Sequence, residues 1–198
     1  MGIILLAFVG LYLLVSLGVV MGSIAYARTA GKSAKHWGWG AGLVMYLIPF
    51  WDWIPTIATH QYYCATEAGF WAYKTPEQWM KENPGVMEGL VANKGDPSKF
   101  VGDTSNFTNT HFVNSRFNLV FIHSGPFAFH RWRKEQEIVD ATSGEILARQ
   151  IDFSTSRNRR QAGWSGWKFW LNRDGCVGSE KQSAELIQYF KSIRGAEK

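Results

Sequence analysis

Apolar positions are unevenly spread along this chain. Residues Ile3 to Ala27 read "IILLAFVGLYLLVSLGVVMGSIAYA", and no charge occurs between Met1 and Ala27. Such a run is long enough to cross a hydrocarbon core of about 30 Å, which needs roughly 20 residues. A second apolar stretch runs from about Trp37 to Thr59. The spacing therefore predicts two transmembrane helices, about 3–27 and 37–59, joined by a loop at 28–36. The competing reading of the first run is a signal peptide with "AYA" at Ala25–Ala27 as the cleavage site. No Lys or Arg precedes the run and it exceeds a usual signal core, so an uncleaved span is expected.

Past residue 60 the pattern loses its long apolar runs. Residues 61–110 read as a helical and irregular connecting segment. Within it, "KTPEQWMKENPG" carries a short helix: Thr75 as cap, Pro76 at the first position, Gln78 completing a capping box and Asn83-Pro84-Gly85 as the stop. The Gly/Asn/Ser-rich stretch 85–110 predicts little regular structure. From His111 to the end, "HFVNSRFNLVFI" and "FAFHRWRKEQEIV" predict strands, with "HSGP" punctuating between them. "EIVDATSGEILARQIDF" predicts a hairpin about "ATSG", and "GWKFWLN" another strand. "SEKQSAELIQYFKSIRG" predicts a helix with Ser179 as cap and Leu186, Ile187, Phe190 and Ile193 on its apolar face. The expected fold is a membrane helical hairpin plus a small α+β domain, an antiparallel sheet covered by a C-terminal helix.

Charge gives the hairpin a direction. Arg28, Lys32 and Lys35 crowd the short loop, and it contains no acid. Short basic loops stay cytoplasmic. The N-terminus and everything after residue 60 then face outward, which in a bacterial inner membrane is the periplasm. Residues from Glu67 onward hold eighteen basic and fifteen acidic residues, a net charge of +3, and long domains translocate regardless of such a balance. Cys64 and Cys176, the only cysteines, fall on the oxidising side, where a disulfide is expected. The alternative is two unpaired thiols.

Candidate chemistry begins with Asp52, the only acid before Glu67. It is the sixteenth residue of the second span, roughly 23 Å along at 1.5 Å per residue. That depth is near the outer interface, where Trp51 and Trp53 belong. An interfacial aspartate that helps to end the span is one reading. An ion or proton pathway is the other, and it requires a homo-oligomer, because two helices cannot line a pore. His60, Cys64 and Glu67 share one helix face and offer three ligands to a transition metal. A haem is a further alternative, without any Cys-x-x-Cys-His attachment motif.

No nucleophile elbow, phosphate loop, HExxH or dinucleotide fingerprint is present, so no catalytic residue is predicted. Glu135, Glu137, Asp140 and Glu145 surround the hairpin and read as a solvated face. In "RNRRQAGWSGWKFW", Arg157, Arg159 and Arg160 lead into Trp164, Trp167 and Trp170. Basic and aromatic interleaving suits single-stranded nucleic acid, but not in an outward-facing domain. There it suits anionic lipid headgroups or a protein partner. The alternative packs the tryptophans against the C-terminal helix. The expected partners are therefore membrane lipid and other membrane or periplasmic proteins, with no nucleic acid and no cofactor.

The phrases "YYCATEAGFWAYKTPEQWMKENPG", "IVDATSGEILARQIDF" and "GWKFWLNRDGC" resemble a group of small, uncharacterised bacterial membrane proteins, some from prophages or other mobile regions. The resemblance runs from about Trp51 to near the end. It implies a Gram-negative inner membrane and an accessory, non-enzymatic role, either as a subunit of a membrane complex or as an envelope factor.

Overall fold

The computed structural model describes residues 2–95, 97–156 and 168–195, with the side chains of 2–5 and 169 left aside. Two compact units divide the chain, Met1–Ile54 and Pro55–Lys198.

In the first unit, α1 (Gly2–Thr29) and α2 (Ala34–Phe50) pack against each other. A Cβ added at Gly38 would meet Ile24 at 3.0 Å, so glycine is what lets the two helices approach there. The Tyr12 hydroxyl donates to the Met45 carbonyl, and Tyr26 meets Trp37 edge to face. Lys32, in the loop, lies 5.0 Å from the Trp37 ring, a cation–π contact. The outer surface is apolar: Leu6, Leu14, Leu43, Val44 and Ile48 are all more than half exposed. Among the described helices one, Leu6–Thr29, is long and apolar enough to cross a membrane alone, and holds an 18-residue window of mean hydropathy 2.2 with none of it buried. A second span is available only if α2 and the helix after it are counted together.

Pro55 explains why that second run is not one helix. It has no N–H to donate to Trp51, and its ring crowds that carbonyl. The helix therefore stops at Phe50, turns at Trp51–Asp52 and restarts as α3 (Trp53–Thr66). Pro55 then sits in the first turn of α3, where its missing N–H would have had no partner anyway.

The second unit is a six-stranded, wholly antiparallel sheet in the order β1-β6-β5-β4-β3-β2. Strand β1 (Gly69–Ala72) follows α3, and α4 (Pro76–Glu82) follows β1. A meander comes next: β2 (Ser98–Gly102), β3 (Phe107–Phe112), β4 (Phe117–Phe127), β5 (Arg131–Asp140) and β6 (Ile146–Thr155). Helix α5 (Ser179–Ile193) lies against β6 and β1. The α+β arrangement and the β5–β6 hairpin agree with the sequence. So does α4, whose capping box is complete: the Gln78 amide donates to Thr75 Oγ1 and the Thr75 amide to Gln78 Oε1.

Several expectations are corrected. The connecting segment is not only helical and irregular: past α3 it holds β1, where Gly69 and Phe70 pair with Ile151 and Gln150 of β6. The stretch 85–110 is not irregular, since it holds β2 and the start of β3. "HSGP" does not punctuate but continues β4, with a bulge between Ser124 and Phe127. "GWKFWLN" is not a strand where it is described: Phe169–Leu171 form a 3-10 turn, and Arg173 bridges to Thr155. Gly178, at φ 86°, precedes α5 as its cap, and Ser179 is the first helical residue. Leu186, Tyr189 and Ile193 form the buried face of α5, while Ile187 is exposed. They close the core with Trp79, Phe117, Ile138, Leu147 and Ala148.

Candidate functional site

Helix α3 brings two of the predicted residues to one place. Thr56, His60 and Cys64 recur every fourth residue, and Thr56 and His60 are buried. Cys64 is disulfide-bonded to Cys176, 112 residues away, with Cα atoms 5.4 Å apart, within the usual range for such bonds. His60 lies beside the bond. Its Nε2 is 3.1 Å from the Phe153 carbonyl oxygen and 3.5 Å from Cys64 Sγ, and its Nδ1 is 3.9 Å from that sulfur. Burial holds the imidazole below its ordinary range, against the Phe153 hydrogen bond and the Asp152 charge, which favour protonation. A neutral ring with its Nε2–H donated to Phe153 fits the carbonyl contact; the disulfide sulfur has no proton to offer the bare Nδ1.

The other half of the cluster is positioned without help from the sulfurs. The Cys176 amide donates to Asp152 Oδ1 at 2.8 Å, and the Ser179 amide to the Cys176 carbonyl at 3.1 Å. Arg173 and Thr155 exchange backbone hydrogen bonds at 2.8 and 2.9 Å. On the helix side, Tyr63 packs on Phe153, and the Arg131 guanidinium stacks 3.3 Å from the Tyr63 ring. Burial pushes the Asp152 carboxyl above the ordinary range, against the Cys176 amide and Lys134.

Donor atoms of His60, Cys64 and Cys176 all lie within 4.8 Å of one another, which is the one such group among the described residues. Glu67, expected as the third ligand, is outside it. It sits exposed on the turn after α3, because the helix ends before completing the turn that would align it. The expected disulfide already placed Cys176 beside Cys64; helical spacing alone pointed to Glu67 as the third member instead.

Asp52 is buried, with 2 % of its surface exposed. It directly precedes α3, where a negative charge complements the helix dipole. Arg157, Arg159, Arg160, Trp164 and Trp167 lie outside the described residues. Trp170 is described, half-buried in the 3-10 turn.

Buried carboxylates are the clearest surprise, since Glu135, Glu137 and Asp140 are 5, 9 and 1 % exposed, not a solvated face. Asp140 accepts from the Trp79 indole at 3.0 Å, from Arg116 Nε at 3.1 Å, and from the Thr142 and Ser143 amides at 2.9 and 3.3 Å. Burial opposes its charge, but these donors outweigh it and hold the carboxyl below the usual range. Glu135 pairs with Arg149 and, at 3.1 Å, with Arg133, while Glu137 lies 3.3 Å from Arg149. Burial and the neighbouring Glu135 push Glu137 upward.

Aromatic residues form a row across four strands that single-strand patterns do not reveal. Phe100 stacks on Phe107, Phe107 on His123 and His123 on Trp132, with centroids 5.1, 5.3 and 5.2 Å apart. Gly102, which pairs with Phe107, makes room for the turn that joins the first two of these strands. At φ 122° it brings no side chain, and any Cβ there would meet the Asn106 carbonyl oxygen at 2.2 Å. Beside this row, a cavity of about 560 Å³ is lined by Val113, Leu119, Phe121, Phe190, His111 and Arg194, among others.

Compared with known proteins, the chain matches no family model, no curated protein and no solved structure.

Proposed function

We propose that the chain is a membrane-anchored interaction protein rather than an enzyme. It sits in a bacterial inner membrane with its N-terminus and α+β domain on the periplasmic side, as an accessory subunit of a membrane complex or an envelope factor. One observation carries this reading: an apolar helix of 24 residues with an unburied 18-residue window shares the chain with a disulfide that spans 112 residues. The first calls for lipid. The second calls for an oxidising compartment. The basic loop 28–36 orients the helices, with α1 as one span and the bent run 37–59, from α2 into the start of α3, as the other.

Edge strand β2 supports binding as the mode of action. All five of its residues are exposed, Phe100 and Val101 by 56 % each, and among the described residues only one of its edges is paired. Such an edge offers backbone donors and acceptors to an added strand. In the same reading Arg157, Arg159, Arg160, Trp164, Trp167 and Trp170 contact lipid headgroups or a protein partner.

Two measurements test the proposal. A reporter that is active only outside the cytoplasm, fused at the C-terminus, is expected to be active; an inactive fusion overturns the topology. The full chain, cross-linked in membranes and purified in mild detergent, is expected to carry a membrane or periplasmic protein in fixed ratio. Phe100→Asp should lower that recovery at least about fivefold without opening the disulfide. A wild-type chain recovered alone, with turnover of its own, overturns the interaction reading.

A further inference from the structure

We propose that the reduced form of the cluster is a zinc(II) site, with Cys64 and Cys176 as thiolates, His60 as the third ligand and a fourth position open to water or an incoming ligand. Three observations carry it. First, the donor set is two sulfurs and one imidazole within 4.8 Å, a combination zinc takes in three-ligand, open sites. Bond lengths of about 2.3 Å to sulfur and 2.0 Å to nitrogen put tetrahedral S···N pairs at about 3.5 Å. Cys64 Sγ stands 3.9 Å from His60 Nδ1 and 3.5 Å from Nε2, so binding through Nδ1 takes a rotation of the cysteine side chain. The two sulfurs must separate to about 3.8 Å, which rotation of the cysteine side chains supplies once their bond is broken.

Second, the imidazole is oriented by an outer partner. Its Nε2 faces the Phe153 carbonyl at 3.1 Å. Donation there fixes the tautomer and leaves the lone pair on Nδ1, the arrangement common to metal-bound histidines. Third, neither cysteine depends on the sulfur–sulfur bond for its place. Cys176 is held by Asp152, Ser179 and the Arg173–Thr155 bridge. Cys64 is held by α3 through Tyr63, Phe153 and Arg131. Opening the bond therefore leaves both thiols facing His60.

The chemistry balances without a hidden partner. A dithiol donor gives two electrons and two protons to the Cys64–Cys176 bond and itself closes to a disulfide. Two thiols result. Zinc(II) binds them as thiolates and releases both protons to solvent, so affinity falls as pH falls. Oxidation reverses the sequence and expels the metal. Disulfide and zinc are thus alternative staples at one position, exchanged by the thiol–disulfide state around the protein.

The test uses the full chain in detergent, reduced with a phosphine that is converted to its oxide, and cobalt(II) as the probe. The expected result is one equivalent bound with thiolate-to-cobalt charge-transfer absorption, displaced by one equivalent of zinc(II). The oxidised chain should bind none. His60→Gln, which keeps its disulfide and so folds before reduction, should bind at least about tenfold more weakly. Glu67→Gln should bind like wild type. Circular dichroism follows folding: binding that retains or restores the folded spectrum supports the proposal. No uptake by the reduced chain overturns it, and so does His60→Gln binding as tightly as wild type. The same absorption persisting in denaturant marks adventitious thiol binding and also overturns it. These outcomes do not depend on the membrane topology or partner proposed above.

Discussion

Helices α3 and α4 are each fastened to the sheet, near opposite ends of β6, by different chemistry. At the Phe153 end a covalent bond joins Cys64 of α3 to Cys176. At the Ile146 end, beside the β5–β6 turn, Asp140 takes the indole of Trp79 from α4, two turn amides and Arg116. The covalent anchor acts on the unfolded chain, by shortening the loops it can explore. The polar anchor acts in the folded chain, where these donors make one buried carboxylate comfortable in its charged form. So the first should respond to thiol state and hardly to pH, and the second to pH and not at all to thiol state.

The largest effect is expected from removing the covalent anchor. For a closed loop of this length the chain-entropy account gives about 4 to 5 kcal/mol. Cys64→Ser with Cys176→Ser should lower the denaturation midpoint accordingly, measured by urea titration of tryptophan fluorescence with a chelator present. A loss below about 1 kcal/mol would mean that Asp152, Tyr63 and the Arg173 bridge suffice, and the comparison would collapse.

Asp140→Asn comes next. It leaves Arg116 and the indole facing a neutral amide, and breaking a buried ion pair at one partner costs about 3 kcal/mol. The sign with pH follows from a folded carboxyl held below its usual range. Wild type keeps the full contribution above the unfolded value of about 3.9 and loses it as pH falls through the lower folded value. The stability gap between the Asp140→Asn variant and wild type should hold steady from neutral pH to about pH 5 and close only in stronger acid, read from urea midpoints at each pH. A gap that narrows already between pH 7 and 5 would rule out Asp140 as its source.

How far each anchor was legible in the sequence follows from the range of its contacts. The α4 capping box and the "ATSG" turn are local chemistry, written within four residues, and both formed as expected. Cys64 and Cys176 could be paired because the compartment was inferred and no third cysteine competes. Asp140 was misread, because a charge beside a turn looks solvated until Trp79 arrives from 61 residues away. Strand β2 escaped notice for a related reason: an edge strand exposed along its whole length carries no alternation of buried and exposed positions. Glu67 satisfied helical spacing, yet α3 ends at Thr66.

The smallest effect separates the two kinds of buried carboxylate in this sheet. Glu137 is buried on the same strand as Asp140, but its neighbours differ. It shares Arg149 with Glu135, which takes the closer contacts, so burial and like charge outweigh the cation and raise its carboxyl. The sign is then opposite to that of Asp140. A raised acid favours the folded state most below the unfolded value of about 4.3, and that contribution fades as pH rises through the folded value. Glu137→Gln removes the charge without removing the shape. Its stability relative to wild type should rise as pH rises from about 4, reaching a gain of under about 1 kcal/mol at neutral pH, read from thermal midpoints across the series. A loss of stability at neutral pH would show that Glu137 is an anchor like Asp140, and that burial beside an arginine is enough to make a carboxylate stabilising whatever acid shares that cation.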